Sequence, residues 1–269
     1  MKKYRLLDDF VNIDGNKKLY AIEALMDFGN VKKGEIGGYV EKEENLSQID
    51  DSWIYCNAKV YDNAKVCGNA EVFGNAEVHG NAKVSGNAKV YDNAKVCGNA
   101  EVFGNARVCG NAEVSDNAKV HGNAQVYGNA EVFGKARVCV TTEVFGNAKV
   151  FGKAIVYGEA KVYGKSRVYG NAEVYGNARV CGEAEVYGNA IVCSDEDFYV
   201  SKNIWSSGRY FTYTRSNRMW KVGCFYGAGQ ELIAKAYKDS EVSGREYKRI
   251  VEYVEAMYAD LEKEKSEIK

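Results

Sequence analysis

The sequence predicts a mainly β protein whose central part is a solenoid of short stacked strands. A six-residue unit of the form V-x-G-N-A-x recurs from Ile54 to Cys193 without an insertion. An aliphatic residue returns at every sixth position from Ile54 to Val192, as one isoleucine and twenty-three valines. A small residue stands two positions before each of them, and only Thr142 and Ser166 interrupt the alanines that follow Ser52. Self-similarity this strict indicates repeated units, each packed on its neighbours.

Each unit predicts one flat side and one corner. The small residue and the aliphatic residue are two positions apart, so in a strand they point the same way, and we expect both inside. Glycine and asparagine fill the remaining positions, where glycine tolerates unusual backbone angles and asparagine accepts the left-handed region more readily than most residues. The pattern alone leaves the number of sides open.

The hexads, for example Val126 to Glu131, resemble the hexapeptide repeat of left-handed β-helix proteins. The resemblance implies three sides and eighteen residues per turn. The twenty-four hexads then make about eight turns, a prism roughly 38 Å long at about 4.8 Å per turn. Left-handed crossovers would be an exception to the usual right-handed rule.

Residues 1–50 are predicted to form a small β-rich cap on residues 51–193, the solenoid. Val11 and Ile13, the pair Asp14-Gly15, and then Leu19 and Ala21 indicate a hairpin. The segments 27–32, 37–40 and 46–48 resemble the opening module of phage, prophage and enterobacterial hexapeptide-repeat proteins, which are often labelled possible acyltransferases. The cap would cover the open end of the prism, where strand edges are unpaired. A ligand site is the alternative for this segment.

Residues 194–269 are predicted to form an α+β module. A hairpin is expected over 209–225, with its turn at Ser216-Asn217 and a buried face of Phe211, Tyr213, Trp220 and Val222. A helix is expected around 230–237, and a second one from Ser243, where Glu246 completes a capping box. The apolar face of this second helix would comprise Ile250, Val254, Met257, Tyr258 and Leu261. The segments Ser207-Gly208-Arg209 and Gly223-Cys224-Phe225 resemble the tail module of phage-encoded relatives.

Composition excludes several classes of partner. The 36 basic and 37 acidic residues give a net charge of -1, which argues against duplex nucleic acid as a partner because that needs a large single-sign field. The first ten residues are not a signal peptide, and no apolar run reaches membrane-spanning length. The eight cysteines are predicted to be free thiols in the reducing cytoplasm of a bacterial host cell, with no CxxC motif or Cys/His cluster to hold a metal.

The sequence favours a non-enzymatic protein without a cofactor over a hexapeptide acyltransferase. Proteins of that class usually place a catalytic histidine beside a loop that projects from the prism. Here the repeat has no inserted loop, and the two histidines, His79 and His121, are 42 residues apart on different sides. A general base needs a pocket to hold its substrate, and nothing in the hexads makes one. We therefore predict no catalytic residue.

One side of the prism predicts an interface for self-association. Its last four outward residues, Phe133, Phe151, Tyr169 and Tyr187, form what we call the aromatic strip. Soluble monomers seldom expose large apolar patches, so a homotrimer or homodimer is expected. Alternatively, exposed Tyr and Phe are present only because these residues favour β-strands, or the C-terminal module folds back over them. A second side carries Tyr127, Phe145 and Tyr163, and the third carries Ile155, Tyr157, Tyr175 and Ile191.

The C-terminal hairpin carries the candidate ligand site, made of Arg209, Tyr210, Tyr213, Arg215, Arg218 and Lys221. Arginine forks suit phosphate and aromatic faces suit bases, so the partner would be an anionic small molecule or nucleotide. In a phage setting, sequestration of a host nucleotide signal would follow by analogy. The alternative is an ordinary hairpin whose basic residues pair with acids such as Glu246 and Glu252. Two functions thus remain open, a structural scaffold and a nucleotide-binding module.

Overall fold

A computed structural model describes residues 2–13, 15–205 and 208–267. It begins with strands β1 (Tyr4–Ile13) and β2 (Lys17–Ala24), which pair antiparallel as the predicted hairpin. Gly15 in the turn has a φ of +79°, whereas Asp14 lies outside the described residues. Strand β3 (Ile36–Val40) is antiparallel to β2 and parallel to the first repeat strand of its own side.

Twenty-four two-residue strands, β4 to β27, follow in chain order, each made of an outward residue and the buried aliphatic residue. They are Trp53–Ile54, Lys59–Val60, Lys65–Val66, Glu71–Val72, Glu77–Val78, Lys83–Val84, Lys89–Val90, Lys95–Val96, Glu101–Val102, Arg107–Val108, Glu113–Val114, Lys119–Val120, Gln125–Val126, Glu131–Val132, Arg137–Val138, Glu143–Val144, Lys149–Val150, Ile155–Val156, Lys161–Val162, Arg167–Val168, Glu173–Val174, Arg179–Val180, Glu185–Val186 and Ile191–Val192.

Every third strand stacks on the same side, so the prism has three sides. Side 1 runs from β3 and β5 to β26, side 2 from β4 to β25 and side 3 from β6 to β27. Val60 pairs with Val78, eighteen residues on, in parallel register. The prediction of a mainly β, parallel β-helix with a C-terminal helical module is confirmed.

The solenoid has about nine turns rather than the predicted eight, because its first turn lies before the regular hexads. Val40 in β3 pairs with Val60, and Leu46 forms a parallel bridge to Val66. Leu46 and Ile54 are eight residues apart instead of six, so this turn does not follow the repeat. Parallel pairing therefore begins before the predicted boundary at residue 51.

The interior is one continuous apolar column. The repeat alanines and the valines of the hexads are all buried, as predicted. Thr142 and Ser166, which replace alanine, are also buried, and their hydroxyls donate to the carbonyls of Cys139 and Tyr163 at 2.6 and 2.9 Å. The two polar replacements are thus satisfied by local hydrogen bonds.

The corners combine a left-handed residue with an asparagine ladder. Gly104, a typical corner, has a φ of +74°, and a Cβ added there would lie 3.0 Å from the backbone nitrogen of Gly122 in the next turn. Asparagine amides bond to the asparagine eighteen residues on, as from Asn81 to Asn99 at 2.9 Å. The left-handed backbone angle and the lack of room for a Cβ together explain why most corners carry glycine.

The direction of the hydrogen bonds decides what each end of the solenoid must supply. On each side three N–H groups point to the next turn, for example Lys59 to Ala76 at 2.9 Å, Tyr61 to Val78 at 3.1 Å and Asn63 to Gly80 at 2.8 Å. The first turn consequently presents carbonyl oxygens, and the last turn presents N–H donors. Burying these carbonyl and N–H groups without hydrogen-bond partners would lower the stability of the fold.

Donors cover the first turn and acceptors cover the last. The Lys3 amine donates to the carbonyls of Asp50 and Ser52, and the Tyr4 hydroxyl donates to those of Glu43 and Leu46. At the other end, the N–H groups of four last-turn residues donate to side-chain oxygens. The pairs are Arg179 with Asp195, Glu185 with Thr212, Ile191 with Ser216 and Cys193 with Asp197.

A four-stranded antiparallel sheet and two helices complete the chain. The strands are β28 (Phe198–Lys202), β29 (Tyr210–Thr214), β30 (Met219–Val222) and β31 (Phe225–Gly227), in that order across the sheet. Helices α1 (Gly229–Asp239) and α2 (Glu241–Glu267) pack on one another. Helix α2 begins before the predicted Ser243, because Ser240 caps it by accepting the Ser243 N–H at 3.0 Å.

Neither helix, within the ranges that the structure describes, is long and apolar enough to cross a membrane.

Candidate functional site

The aromatic strip forms a ladder of stacked rings on side 1. The ring centroids of Phe133 and Phe151 are 4.8 Å apart, those of Phe151 and Tyr169 4.6 Å, and those of Tyr169 and Tyr187 4.4 Å. All four side chains are half-buried, because each ring covers the face of the next. The ring edges face outward along the side, and they are what a partner would contact.

The C-terminal module reaches one end of the strip. Tyr226 packs its ring edge-on against Tyr187 at 4.6 Å, and the Lys221 amine lies 5.9 Å from the Tyr187 ring centroid. In the described part of the chain, no other ring of the module contacts the strip. Among the described rings of the module, Tyr226 therefore meets the strip at its Tyr187 end.

A charge ladder runs beside the strip on the same side. Lys149 pairs with Glu131 at 2.7 Å and Arg167 with Glu185 at 3.8 Å. The Tyr169 hydroxyl donates to Glu185 at 2.8 Å, and burial, followed by this hydrogen bond, raises the pKa of Tyr169. Because these charges already pair with one another, a protein surface that covered side 1 would bury few charges without a partner.

The other two sides carry shorter ladders. On side 2, Phe145 stacks between Tyr127 and Tyr163, with both centroid distances at 4.9 Å. On side 3, Tyr157 stacks on Tyr175 at 4.9 Å, and Ile191 beside them is 44% exposed. The three sets that the sequence assigned to different sides are confirmed as separate ladders.

Both histidines belong to ladders as well. His79 stacks on Tyr61 with centroids 4.8 Å apart, and His121 stacks on Phe103 at 4.7 Å. They lie on sides 1 and 3. Burial, and then the nearby Arg137 and Lys119, lower the pKa of His121. Each imidazole therefore serves as a stacking ring.

The hairpin of β29 and β30 packs on a different partner with each face. Phe211, Tyr213, Trp220 and Val222 are buried against the helices, as predicted. On the opposite face, Thr212 accepts the Glu185 N–H at 2.9 Å, and Lys221 pairs with Glu185 at 3.6 Å. The sheet thus lies between the last turn of the solenoid and the two helices.

This packing disperses the six predicted ligand residues. Lys221 faces the solenoid, and Arg209 lines a small recess with Cys224 and Tyr247. Tyr210 is exposed beside Lys202. Arg215 and Arg218 both reach Glu262, at 3.6 and 3.2 Å. Only Tyr213 and Arg218 of the six line a common cleft.

The acids proposed as alternative partners of the hairpin pair elsewhere. Glu246 pairs with Arg249 at 2.8 Å and Glu252 with Lys248 at 3.7 Å. The hairpin turn lies beside the later part of α2, so Glu262 is the acid that its arginines meet. The expectation of ordinary ion pairs fits the structure, but the named acids were wrong.

The cleft between the hairpin and the helices has a volume of about 300 Å³. Its lining includes Tyr213, Arg218, Gly229, Glu255 and Glu262. Glu255 accepts the indole N–H of Trp220 at 3.1 Å and lies against Gly229, the first residue of α1. Burial raises the pKa of Tyr258, which also lines the cleft, to about 12. Two carboxylates thus share the cleft with one arginine.

Sequence reasoning missed Glu255 and Glu262. The available signal was their spacing, since two acids seven residues apart lie on one face of a helix. On a helix as charged as α2 this signal does not stand out. No group of three or more His, Cys, Asp or Glu side chains that could hold a metal ion occurs within residues 2–13, 15–205 and 208–267.

Comparison with known proteins supports the repeat. A family model described as YdcK Beta solenoid repeat matches residues 124–139. This segment contains strands β16 to β18, one on each of the three sides. The comparison with curated proteins found no match. Together with the fold, the family match supports a β-solenoid repeat protein.

Proposed function

We propose that this β-solenoid repeat protein is a non-enzymatic scaffold that associates with further copies of itself through the aromatic strip. The observation that carries the proposal is the unbroken ladder of four rings along one flat side. Aromatic side chains are enriched in protein interfaces, where they bury a large area with little loss of side-chain freedom. Their stacking fixes the rings before a partner arrives, which lowers the entropic cost of binding.

The scaffold role is supported by the stiffness of the prism. Backbone hydrogen bonds join each turn to the next on all three sides, and the asparagine ladders tie the corners together. The two histidines stack on neighbouring rings in ladders, which favours a structural role over acyl transfer. A rigid prism that self-associates through one side can hold several copies of the protein at a fixed spacing.

The cellular setting is part of the proposal. All eight cysteines are free thiols, which a reducing cytoplasm maintains. The resemblance of the sequence to phage and prophage hexapeptide-repeat proteins suggests a bacterial host cell as that compartment.

The test compares two rings in equivalent positions on different sides. Phe151→Glu places a charge in the middle of the aromatic strip, and Phe145→Glu places one in the middle of the three-ring ladder on side 2. Light scattering at micromolar concentration should show a dimer or trimer for the wild type and for Phe145→Glu, but a monomer for Phe151→Glu. A monomeric wild type, or equal behaviour of the two variants, would contradict the proposal.

A second candidate function is the binding of a phosphorylated small molecule or nucleotide in the cleft. Arg218 is 74% exposed there and lies near the first turn of α1, whose N–H groups favour negative charge. Tyr213 and Tyr258 could flank a base. The two carboxylates oppose an anion, because Glu262 already pairs with Arg218 and Glu255 already lies against the start of α1.

Calorimetry with mono-, di- and cyclic nucleotides tests this second function. If a nucleotide binds in the cleft, the wild type should give a heat of binding. Arg218→Ala should abolish this heat, and Arg209→Ala, which lies outside the cleft, should retain it. No heat from the wild type at millimolar nucleotide would exclude it.

A further inference from the structure

Two isoleucines on side 3 stand where almost every other turn carries a charge. Of the twenty-four outward strand positions from Trp53 to Ile191, twenty are Lys, Arg or Glu. The exceptions are Trp53, Gln125, Ile155 and Ile191. Trp53 is fully buried beneath Tyr4 and Phe28 of the cap, and Gln125 is polar. The two isoleucines are the remaining apolar positions of the twenty-four; Ile155 is half-buried, Ile191 is 44% exposed, and both lie on side 3.

These isoleucines flank the Tyr157–Tyr175 stack. Ile155 pairs in register with Arg137 and Glu173, and Ile191 pairs with Glu173. Each therefore forgoes the cross-strand ion pair that other turns make, such as Lys161 with Glu143 at 2.8 Å. We call Ile155, Tyr157, Tyr175 and Ile191 the isoleucine face.

The isoleucine face and the aromatic strip occupy the same turns. Within each turn side 3 follows side 1 directly, so Ile155 lies four residues after Phe151, and Ile191 four residues after Tyr187. Two copies with parallel axes at equal height, side 1 of one facing side 3 of the other, would bring Phe151 to Ile155. Phe133 would meet Arg137, a pairing that cation–π attraction favours.

We propose that the aromatic strip of one copy docks on the isoleucine face of a second copy, with the axes parallel and the turns in register. This inference rests on the self-association proposed above and names its second surface. The contact is between two different surfaces, so a homodimer would leave one surface of each kind exposed, and only a closed ring such as a trimer satisfies every copy. Because Tyr226 already covers part of Tyr187, the contact of Phe151 with Ile155 is its apolar centre.

Charge complementarity favours a second copy as the occupant. In the register that brings Phe151 to Ile155, six turns place a charge on side 1 diagonally across from a charge on side 3, one strand position to the side. The two charges are opposite in five of these turns and alike in one. The opposite pairs are Glu77 with Lys83, Lys95 with Glu101, Glu113 with Lys119, Glu131 with Arg137 and Arg167 with Glu173, and the like pair is Lys59 with Lys65. Opposing sides 1 and 2 instead gives as many like pairs as opposite pairs. The three like pairs are Glu71 with Glu77, Lys89 with Lys95 and Lys161 with Arg167, and the three opposite pairs are Arg107 with Glu113, Glu143 with Lys149 and Arg179 with Glu185.

The same register relieves two unfavourable stacks within one chain. Glu113 stacks on Glu131 on side 1, and Lys119 stacks on Arg137 on side 3. Like charges directly opposite each other destabilise a sheet. Within the chain, Lys149 already pairs with Glu131 and Glu101 with Lys119. In this register the acid stack and the base stack also lie diagonally across from each other in the same two turns, which adds a further attraction between the copies.

The experiment uses Ile155→Glu, with Gln125→Glu as its matched control. Gln125 is the polar member of the four uncharged outward strand positions, and it lies on side 2. Sedimentation should show self-association at least tenfold weaker for Ile155→Glu and unchanged for Gln125→Glu. Circular dichroism checks that each variant is folded. If Ile155→Glu does not fold, Ile191→Glu replaces it, because the Ile191 side chain is 44% exposed.

Mixing two monomeric variants gives the decisive result. Phe151→Glu keeps an intact isoleucine face, and Ile155→Glu keeps an intact aromatic strip. Their mixture should form a heterodimer, although neither variant associates alone.

The possible outcomes distinguish the docking of the strip on the isoleucine face from the self-association on which it rests. A monomeric wild type overturns both. A wild-type oligomer with unchanged association of Ile155→Glu, or a mixture without heterodimer, overturns the isoleucine face alone, because the strip would then contact some other surface.

Discussion

Val140 is the one valine placed where the solenoid requires a left-handed backbone. Its φ is +69°, beside +73° at Gly122 and +76° at Gly158 in the turns before and after it. A β-branched residue rarely adopts such an angle, and the strain costs on the order of 1–3 kcal/mol. The regular repeat therefore tolerates a locally unfavourable residue, held by its neighbours.

Val140→Gly should stabilise the protein by about 1 kcal/mol, because relief of the strain exceeds the extra chain entropy of glycine. Urea denaturation measures this as a higher midpoint. The reverse change one turn later, Gly158→Val, should lower the midpoint, since an added Cβ would also lie 3.0 Å from the Gly176 nitrogen. A lower midpoint for Val140→Gly would mean that the valine side chain contributes more than its backbone costs.

Lys3 is a buried amine that closes the first turn. It is 4% exposed, it donates to two carbonyls, and its nitrogen lies 4.8 Å from the Phe28 ring centroid. Burial lowers the pKa of Lys3 from 10.5 to about 8, against the opposing effect of Asp50 and Asp51. Between these two pKa values the unfolded chain binds more protons at this group than the folded chain does. The contribution of Lys3 to the free energy of unfolding therefore rises with pH over that window.

The difference in unfolding free energy between the wild type and Lys3→Met should shift in favour of the wild type from pH 7 to pH 9.5. The neutral amine keeps two donors for the two carbonyls, so its bonds survive deprotonation. Guanidinium denaturation across this range measures the difference, which cancels the titration of tyrosines and cysteines common to both proteins. Lys2→Met, at an exposed lysine, is the control. Parallel pH curves for the wild type and Lys3→Met would refute the assigned role.

At the scale of elements, the end of the solenoid is sealed by side-chain acceptors. Thr212 on β29 is 1% exposed, and its hydroxyl accepts the N–H of Glu185 in the last strand of side 1. Among the described residues, no strand pairs with the far edge of that last strand, β26. Side-chain oxygens thus replace the carbonyls that a further turn would have offered.

Thr212→Val keeps the shape of the side chain and removes the acceptor. It should destabilise the protein by about 1–3 kcal/mol, because it leaves a buried N–H unpaired. Denaturation gives the magnitude, and faster amide exchange at Glu185 gives the location. Thr141→Val is the control, since the Thr141 hydroxyl bonds to Gly158 on an exposed corner where water can replace it. Equal losses from the two changes would argue against the sealing role.

The elements that sequence predicts well are those specified locally. The alternation of alanine and valine fixes the inward face of each hexad, so the strands from Ile54 to Val192 could be placed residue by residue. The first turn could not be placed in this way, because Leu46 and Ile54 are eight positions apart instead of six and Val40 precedes the regular hexads. The hairpin shows the other limit. Alternation correctly predicts the buried Phe211 and Trp220, but not that the opposite face packs on the solenoid and turns Lys221 away from Arg218.

At the scale of the whole molecule, stability propagates along a single axis. Val120 in the middle of the column pairs with Val102 below it and Val138 above it, and each turn contacts only its neighbours, as in other repeat architectures. The column of alanines and valines is fully buried and uniform. A larger side chain at one level can therefore be accommodated only by displacing the adjacent turns.

Val120→Phe should lower the free energy of unfolding by about 1–3 kcal/mol through overpacking. Amide exchange should accelerate most in the turns that hold Val102 and Val138, and least at the two capped ends. Ser115→Phe is the matched control, because it adds the same ring to the outside of the neighbouring side. There the new ring can stack on Phe133 and extend the aromatic strip by one turn, so stability should hold or increase. Unchanged stability in Val120→Phe would mean that the column yields to a larger side chain, which a close-packed interior does not allow.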